Sequence, residues 1–211
     1  SAASDVYKRQ YLVNGNLKVL RHKGKSHGVK ETRGKYSKGK SIRKRDKSVY
    51  SREEAGHWEA DTVVSGQGKS KACFATLAER KTRFYIAMKM SDRRAETMEN
   101  AIVAALSAFP PQLVKTITCD RGTEFANWRR IEERLHCEVY FADPYCAWQK
   151  GTNENLNGLL REFYPKGRNL SRVAPATLKR NLALLNARPR KVLYFHSAQE
   201  LWDFELNSCC T

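Results

Sequence analysis

No two cysteines in this chain stand two residues apart. The six present (Cys73, Cys119, Cys137, Cys146, Cys209 and Cys210) form no C-x-x-C pair, which excludes zinc ribbons and knuckles. Several lie in apolar runs, where a thiol packs as a small hydrophobe, and a reducing, cytoplasmic setting is expected. No run of 18 apolar residues occurs, so no membrane-spanning helix is expected. The N-terminus lacks the apolar stretch of a secretory leader, and none is expected. The five histidines never occur as H-x-x-x-H, which leaves no histidine pair at helical ligand spacing.

Acid is scarce at one end. Residues 1–50 hold 15 Lys/Arg against 3 Asp/Glu, whereas residues 51–211 hold 24 against 19, within a formal net charge of +17. A compact, mildly basic body with a strongly basic arm implies a polyanion, most often nucleic acid. The 211 residues suit one domain plus an extension. Residues 1–50 read as a basic arm or linker, because "KGKSHGVKETRGKYSKGKSIRKRDK" is too poor in apolar residues to fold alone. Order is expected from Ser51 onward, over 51–211. Within the arm, Asp5 to Gln10 (DVYKRQ) is what GATGTGTATAAGAGACAG would encode, the transposon mosaic end used in sequencing-library adaptors. Residues 1–10 therefore read as adaptor-derived, with the natural chain longer upstream.

The body alternates cleanly. HWEADTVV (57–64), ACFATLAE (72–79) and TRFYIAMKM (82–90) are rich in β-formers and joined by short turn signals, which predicts an antiparallel meander. A helix follows, with Ala95, Met98, Ile102, Leu106 and Phe109 on one face, Ser91 or Asp92 as its cap and Pro110–Pro111 as its end. VKTITC (114–119) reads as a strand parallel to the first, 124–136 as a helix, and CEVYF (137–141) as a fifth strand. Helices are expected over 151–164, 175–187 and 197–206. A three-strand meander followed by two crossover strands predicts an α/β, ribonuclease-H-like mixed five-stranded sheet flanked by helices.

Three acids occupy telling places in that order. Asp61 lies in the first strand, Asp120 follows the fourth, and Glu154 opens the helix after the fifth. The first and fourth strands would be neighbours, so Asp61 and Asp120 would meet, with Glu154 reaching in from its helix. Three converging carboxylates repel one another, and divalent metal resolves that repulsion. Mg²⁺ prefers hard oxygen ligands, and a pair of such ions supports in-line displacement at phosphorus. Two Mg²⁺ ions are expected on Asp61, Asp120 and Glu154, with Mn²⁺ as a substitute. Glu59, Glu124 and Asp143 stand nearby and are given supporting or capping roles.

"GHWEADTV", "TITCDRGTEFA", "YFADPYCAWQKGTNENLNGLLREFYPKG" and "LNARPRKVL" resemble the insertion-sequence-30 family of bacterial DDE transposases, whose catalytic core is shared with retroviral integrases. The resemblance runs from about Ile42 to Trp202 and is densest over 137–167. Carried over residue by residue, the family's triad falls on Asp61, Asp120 and Glu154. It implies metal-dependent cleavage of a phosphodiester and transfer of the freed 3′-hydroxyl to target DNA. It also implies element ends and target DNA as partners, and a homo-oligomer assembled on them. Asp61 would bridge both metals, and Asp120 and Glu154 would hold one each. Two residues depart from the pattern: Arg121 stands where Asn is usual after the second acid, and Ala60 where Gly is common before the first. The family's upstream helix-turn-helix region has no counterpart here, so the chain reads as a 5′-truncated fragment.

DNA contacts are expected from Lys150, Asn153, Asn157, Arg161, Lys166 and Arg168 around Glu154, and from Arg188, Arg190 and Lys191 in "RPRK". Tyr145 and Trp148 are candidates for stacking on an unpaired base, Trp148 equally for the core. Asn153, Asn155, Asn157 and Gly158 weaken the start of their helix, which points to a start shaped by metal and DNA. Two alternatives stay open. One is a decayed, non-enzymatic DNA-binding remnant; the other is a ribonuclease-H-type hydrolase, which would share the acids but not "GTNEN" and "RPRK".

Overall fold

The computed structural model describes residues 39–144 and 146–209. The expectations placed on residues 1–38 and on Tyr145 lie outside them. Six strands, β1 (Lys40–Ser41), β2 (His57–Val64), β3 (Cys73–Glu79), β4 (Tyr85–Met90), β5 (Thr116–Cys119) and β6 (Glu138–Phe141), make one sheet in the order β1-β6-β5-β2-β3-β4. The β2–β3–β4 part is antiparallel, and β2, β5, β6 and β1 run parallel. The helices are α1 (Ala95–Leu106), α2 (Trp128–Leu135), α3 (Gly151–Phe163), α4 (Pro175–Ala187) and α5 (Ala198–Cys209).

Strand periodicity assigns each side chain to one of two cores. Trp58 and Ala60 of β2, Cys73, Ala75 and Leu77 of β3, and Ile117 and Cys119 of β5 pack with Met98, Ile102 and Leu106 of α1, Ile131 and Leu135 of α2 and Trp202 of α5. On the opposite face, Val63, Phe74 and Ala78 pack with Leu156 and Leu160 of α3 and Leu178 and Leu185 of α4. β3 is buried along its whole length because helices cover both faces, which explains why CFATLAE reads as a continuous apolar run rather than an alternation. Trp202 meets Trp58 edge-on at 5.2 Å between ring centroids and Phe109 at 5.0 Å, and stacks on Phe84 at 5.2 Å. These contacts pin α5 to β2.

The five-strand expectation is corrected to six, and order begins before Ser51. Lys40 and Ser41 pair in parallel with Tyr140 and Phe141, and Ile42 and Val49 are buried. The Arg45 Nη1 donates to Thr118 Oγ1 at 2.8 Å. So short and basic an edge strand carries no apolar alternation to announce it. The cap of α1 also differs: the N-cap residue is Arg94, and Asp92 Oδ1 instead accepts from the Arg94 N–H at 3.0 Å and the Thr97 hydroxyl at 2.8 Å. Cys73, Cys119 and Cys137 are buried. Burial pushes the Cys73 thiol up to about 11 and that of Cys137 up to about 12, so they pack as neutral groups.

Candidate active site

The same alternation that sends Trp58 and Ala60 into one core turns Glu59 and Asp61 to the α3 side of the sheet. Thr76 on β3 and Thr118 on β5 share that side and pair in register with Asp61 and Glu59 respectively. Asp120 leaves the end of β5. Asp61 Oδ1 and Asp120 Oδ2 each lie 3.5 Å from the Lys150 ammonium. That ammonium also donates to the carbonyl of Ala60 at 3.3 Å, and Lys150 is buried. Burial pushes the Asp61 carboxyl up, against the opposing pull of Lys150 and of the Thr62 N–H. Burial works to lower Lys150, but Asp61 and Asp120 outweigh it and raise it. Two acids with 58 residues between them in sequence therefore share one cation.

The start of α3 is bolted to the sheet by amides. Asn153 is fully buried. Its backbone N–H donates to Glu59 Oε2 at 2.9 Å, and its side-chain amide donates to the Glu59 carbonyl at 2.6 Å. Its Oδ1 accepts from the Thr76 hydroxyl at 3.1 Å. One turn on, Asn157 Nδ2 donates to Asp61 Oδ2 at 3.0 Å while its Oδ1 accepts from the Tyr85 hydroxyl at 2.6 Å. Asn153 is thus a structural bolt and Asn157 a prop for Asp61, rather than open DNA contacts. Asn153→Ala is expected to cost about 2–4 kcal/mol of stability, because the buried carbonyls of Glu59 and Thr76 lose the amide that donates to them. Denaturant melts would read that loss, with DNA affinity unchanged at matched folded fraction.

Glu154 lies between the two asparagines and is exposed. Among the described residues no three His, Cys, Asp or Glu side chains are grouped closely enough to hold a metal ion. The structure therefore brings Asp61 and Asp120 together without drawing Glu154 into a three-acid cluster. It stands three positions before Asn157, on a neighbouring stretch of helix surface. Glu124, by contrast, is buried: Oε1 accepts from Arg93 at 2.6 Å and from the Thr62 hydroxyl at 3.2 Å, while Oε2 is buried without a partner among the described residues. Gly122 threads between the acids, since a Cβ there would meet Glu124 Oε2 at 2.4 Å and Asp120 Oδ1 at 2.9 Å. The carboxylate oxygens of Asp61 and Asp120 are hard donors of the kind a divalent ion prefers, and Glu124 Oε2 is a further buried carboxylate oxygen without a partner among the described residues.

The other expected DNA residues divide by exposure. Lys166, Arg168, Arg188, Lys191 and Trp148 are exposed. The Trp148 ring, 71% exposed, stands away from the core. Lys150 is buried, as described. Arg190 is engaged by its own chain, donating to the carbonyls of Arg83 at 3.1 Å and Leu185 at 2.9 Å. Arg161 is half-buried and donates to the Val64 carbonyl at 3.0 Å. Gly151 and Gly158 face open space, so no chain packing calls for glycine at either position. Sequence reasoning missed the roles of Lys150, Arg93 and Arg80. Arg80 forms a buried ion pair with Glu59.

On this ribonuclease-H-like sheet, Asp61 within β2 and Asp120 just past β5 face one cation. Residues 51–147 match the integrase core domain, a stretch that ends before Glu154. Along most of its length the chain is similar to transposases of insertion sequences, insertion sequence 30 among them. It is 37% identical over 165 residues to a probable transposase for insertion-like sequence element IS1161 of Streptococcus salivarius, covering 78% of this chain and 46% of that protein. It is 36% identical over 184 residues to the transposase InsI for insertion sequence element IS30C of Escherichia coli K12, covering 86% and 47%. The transposase for insertion sequence element IS4351 of Bacteroides fragilis is 35% identical over 195 residues, covering 90% and 59%. The chain thus spans about half the length of the curated relatives it matches. In fold it is similar to the catalytic core domain of BIV integrase, with TM-score 0.56 and 15% identity over 74% of this chain and 99% of that one. The HTLV-2 integrase catalytic core domain in complex with magnesium gives TM-score 0.53 and 14% identity over 70% and 95%. Among the described residues no helix is long and apolar enough to cross a membrane.

Proposed function

We propose that this chain is the catalytic part of a bacterial DNA transposase, performing metal-dependent phosphodiester cleavage and strand transfer in the cytoplasm, at the nucleoid. One observation carries the reading: Asp61 and Asp120 face a single buried cation at 3.5 Å each. Asp61, Asp120 and Glu154 would hold divalent ions, Mg²⁺ with Mn²⁺ as substitute. Those ions would activate the attacking oxygen and stabilise the leaving one. The protein's own share is positional. Asn157 and the Thr62 N–H fix both oxygens of Asp61, and Asn153 fixes the start of the helix that carries Glu154. Lys166, Arg168, Arg188 and Lys191 supply exposed charge for phosphates. Two element ends have to be joined, so at least a dimer on DNA is expected; a solved relative in fold is a viral intasome.

Nicking and strand transfer on duplex oligonucleotides carrying element ends, with Mg²⁺ or Mn²⁺, test the reading. Metal-dependent product supports it. DNA binding with no product under either metal favours the second reading, a decayed DNA-binding remnant, to which Glu154's place outside the acid pair and Arg121 after Asp120 lend weight.

The basic arm is expected to add affinity without adding chemistry. Deleting residues 11–38 should flatten the slope of log K against log salt by roughly 0.9 for each phosphate the arm neutralises; an unchanged slope would remove the arm from the interface. A deletion reaching residue 50 would also take Ile42, Arg45 and Val49, all buried, and is expected to unfold the core.

A further inference from the structure

The Lys150 ammonium lies where the proposed function needs a metal. Its nitrogen is 3.5 Å from one oxygen of Asp61, 3.5 Å from one of Asp120 and 3.3 Å from the Ala60 carbonyl. Lys150 is the last residue of the short turn Ala147–Lys150 that leads into α3. Its backbone is not helical and its side chain caps nothing. Gly151 follows, with no atom within 4 Å of the place its Cβ would occupy. A four-carbon stem on a turn, next to an uncrowded glycine, can swing without unpacking either core. Charge gives the reason to swing. One ammonium balances only one of the two carboxylates, whereas a divalent ion balances both. The two cations repel each other at the same pair of oxygens.

We propose that Lys150 is a built-in counter-ion that holds the Asp61–Asp120 pair in the metal-free protein and is displaced when a divalent cation enters. The proposal rests on the reading of Asp61 and Asp120 as the ion-holding pair. It makes Lys150 a positioning residue that keeps the site folded and charge-balanced before loading, and that sets how readily the site loads.

Manganese binding to the full chain without DNA, followed at fixed pH and low salt by the electron paramagnetic resonance signal of free Mn²⁺, reads this directly. Lys150→Met is expected to bind Mn²⁺ about tenfold or more tightly than the unaltered chain, and to melt lower without metal and regain that loss with it. Asp61→Asn is expected to lose the binding. Equal affinity in Lys150→Met and the unaltered chain, with binding lost in Asp61→Asn, would overturn the counter-ion and leave the acid pair standing. Unchanged binding in Asp61→Asn would overturn the ion-holding pair, and the counter-ion with it. A second measurement needs no variant that has to fold. Acylation of Lys150 by an amine reagent, followed by peptide mass spectrometry, should be slow in the metal-free chain and several-fold faster with Mn²⁺. A rate that metal leaves unchanged would overturn the proposal.

Discussion

Asp61→Asn is expected to lower metal-dependent nicking and strand transfer by about 10³-fold or more while DNA binding persists. The size follows from what the carboxylate does in the proposed chemistry. A ligand to both ions contributes charge stabilisation of several kcal/mol in the transition state, and each 1.36 kcal/mol is a factor of ten in rate. The substitution is otherwise gentle. Asn has the shape of Asp, and the site keeps Asn157, Thr62 and Lys150. Either Asn157 at Oδ2, or Thr62 and Lys150 at Oδ1, would face an amide N–H instead, a cost on the order of 1 kcal/mol per lost bond. A melting curve close to that of the unaltered chain, beside the lost activity, would separate chemistry from folding. Asp120→Asn should behave in the same way. Glu154→Gln is the sharper case, because Glu154 is exposed and stands outside the acid pair. The same loss there, with stability untouched, would mean that Glu154 joins the pair only when metal and DNA are present. Activity surviving in Glu154→Gln would remove it from the catalytic set.

The largest effect on stability is expected behind the site, at Glu59. Its side chain is completely buried, paired with the guanidinium of Arg80, and accepts from the backbone N–H of Asn153. Arg45 is buried on the same side of the sheet through its bond to Thr118, the strand partner of Glu59. Three of the guanidinium nitrogens, Arg45 Nε and Nη2 and Arg80 Nε, are buried with no hydrogen-bond partner among the described residues. Glu59 is the anion that makes this arrangement tolerable. Glu59→Leu would strand the guanidinium charge, and breaking such a buried pair costs about 3–5 kcal/mol. For a chain of this size that is a fall in melting temperature of roughly 6–20 °C. The double substitution Glu59→Leu with Arg80→Met should recover part of the loss, since removing both partners leaves less charge uncompensated. No recovery would mean that the cost lies in the bond to Asn153 and the seating of α3. Thermal melts of the single and double variants settle which.

The strands that carry the acids were legible because their patterns are strong. HWEADTVV becomes β2 over the expected residues, and PATLKRNLALLNA becomes α4 likewise. The ribonuclease-H-like order followed from strand and helix alternation alone. Lys150 and Asn153 were misread because both look like surface residues beside a catalytic acid, and a sequence does not show which way a turn points. A signal for Asn153 was present. The apolar stripe Leu156, Leu160, Tyr164 continues one turn back onto Asn153, so the amide occupies a core position, and only a buried acceptor such as Glu59 makes that tolerable. Glu154, one residue off the stripe, is exposed for the same reason. Arg190 escaped because its partners are the carbonyls of Arg83 and Leu185, and only the folded turn after β3 puts the first of these within reach. The first strand carries too little pattern to be seen in so basic a stretch, with Ile42 and Val49 as its only apolar anchors.

The weaknesses at the start of α3 now have separate causes. Asn153 and Asn157 are there because the sheet beneath has polar groups to satisfy. Gly158 has open space above it, so no packing within the described residues calls for it.

The edge-on meeting of Trp58 and Trp202 sets the order in which the chain can finish itself during synthesis. Trp58 is among the first ordered residues to be made, and the helix that covers it is the last described element. At about 5–20 residues per second, roughly 8–30 seconds pass before that helix exists. Through that interval the apolar side of the strand bearing Asp61 is without its lid, and over its last part, once Glu154 has been made, every residue of the proposed triad has been translated. A ribosome-bound chain halted before Ala198 would therefore carry a complete set of acids on an unfinished sheet. Such a chain is a natural client for a chaperone that recognises exposed aromatic surface.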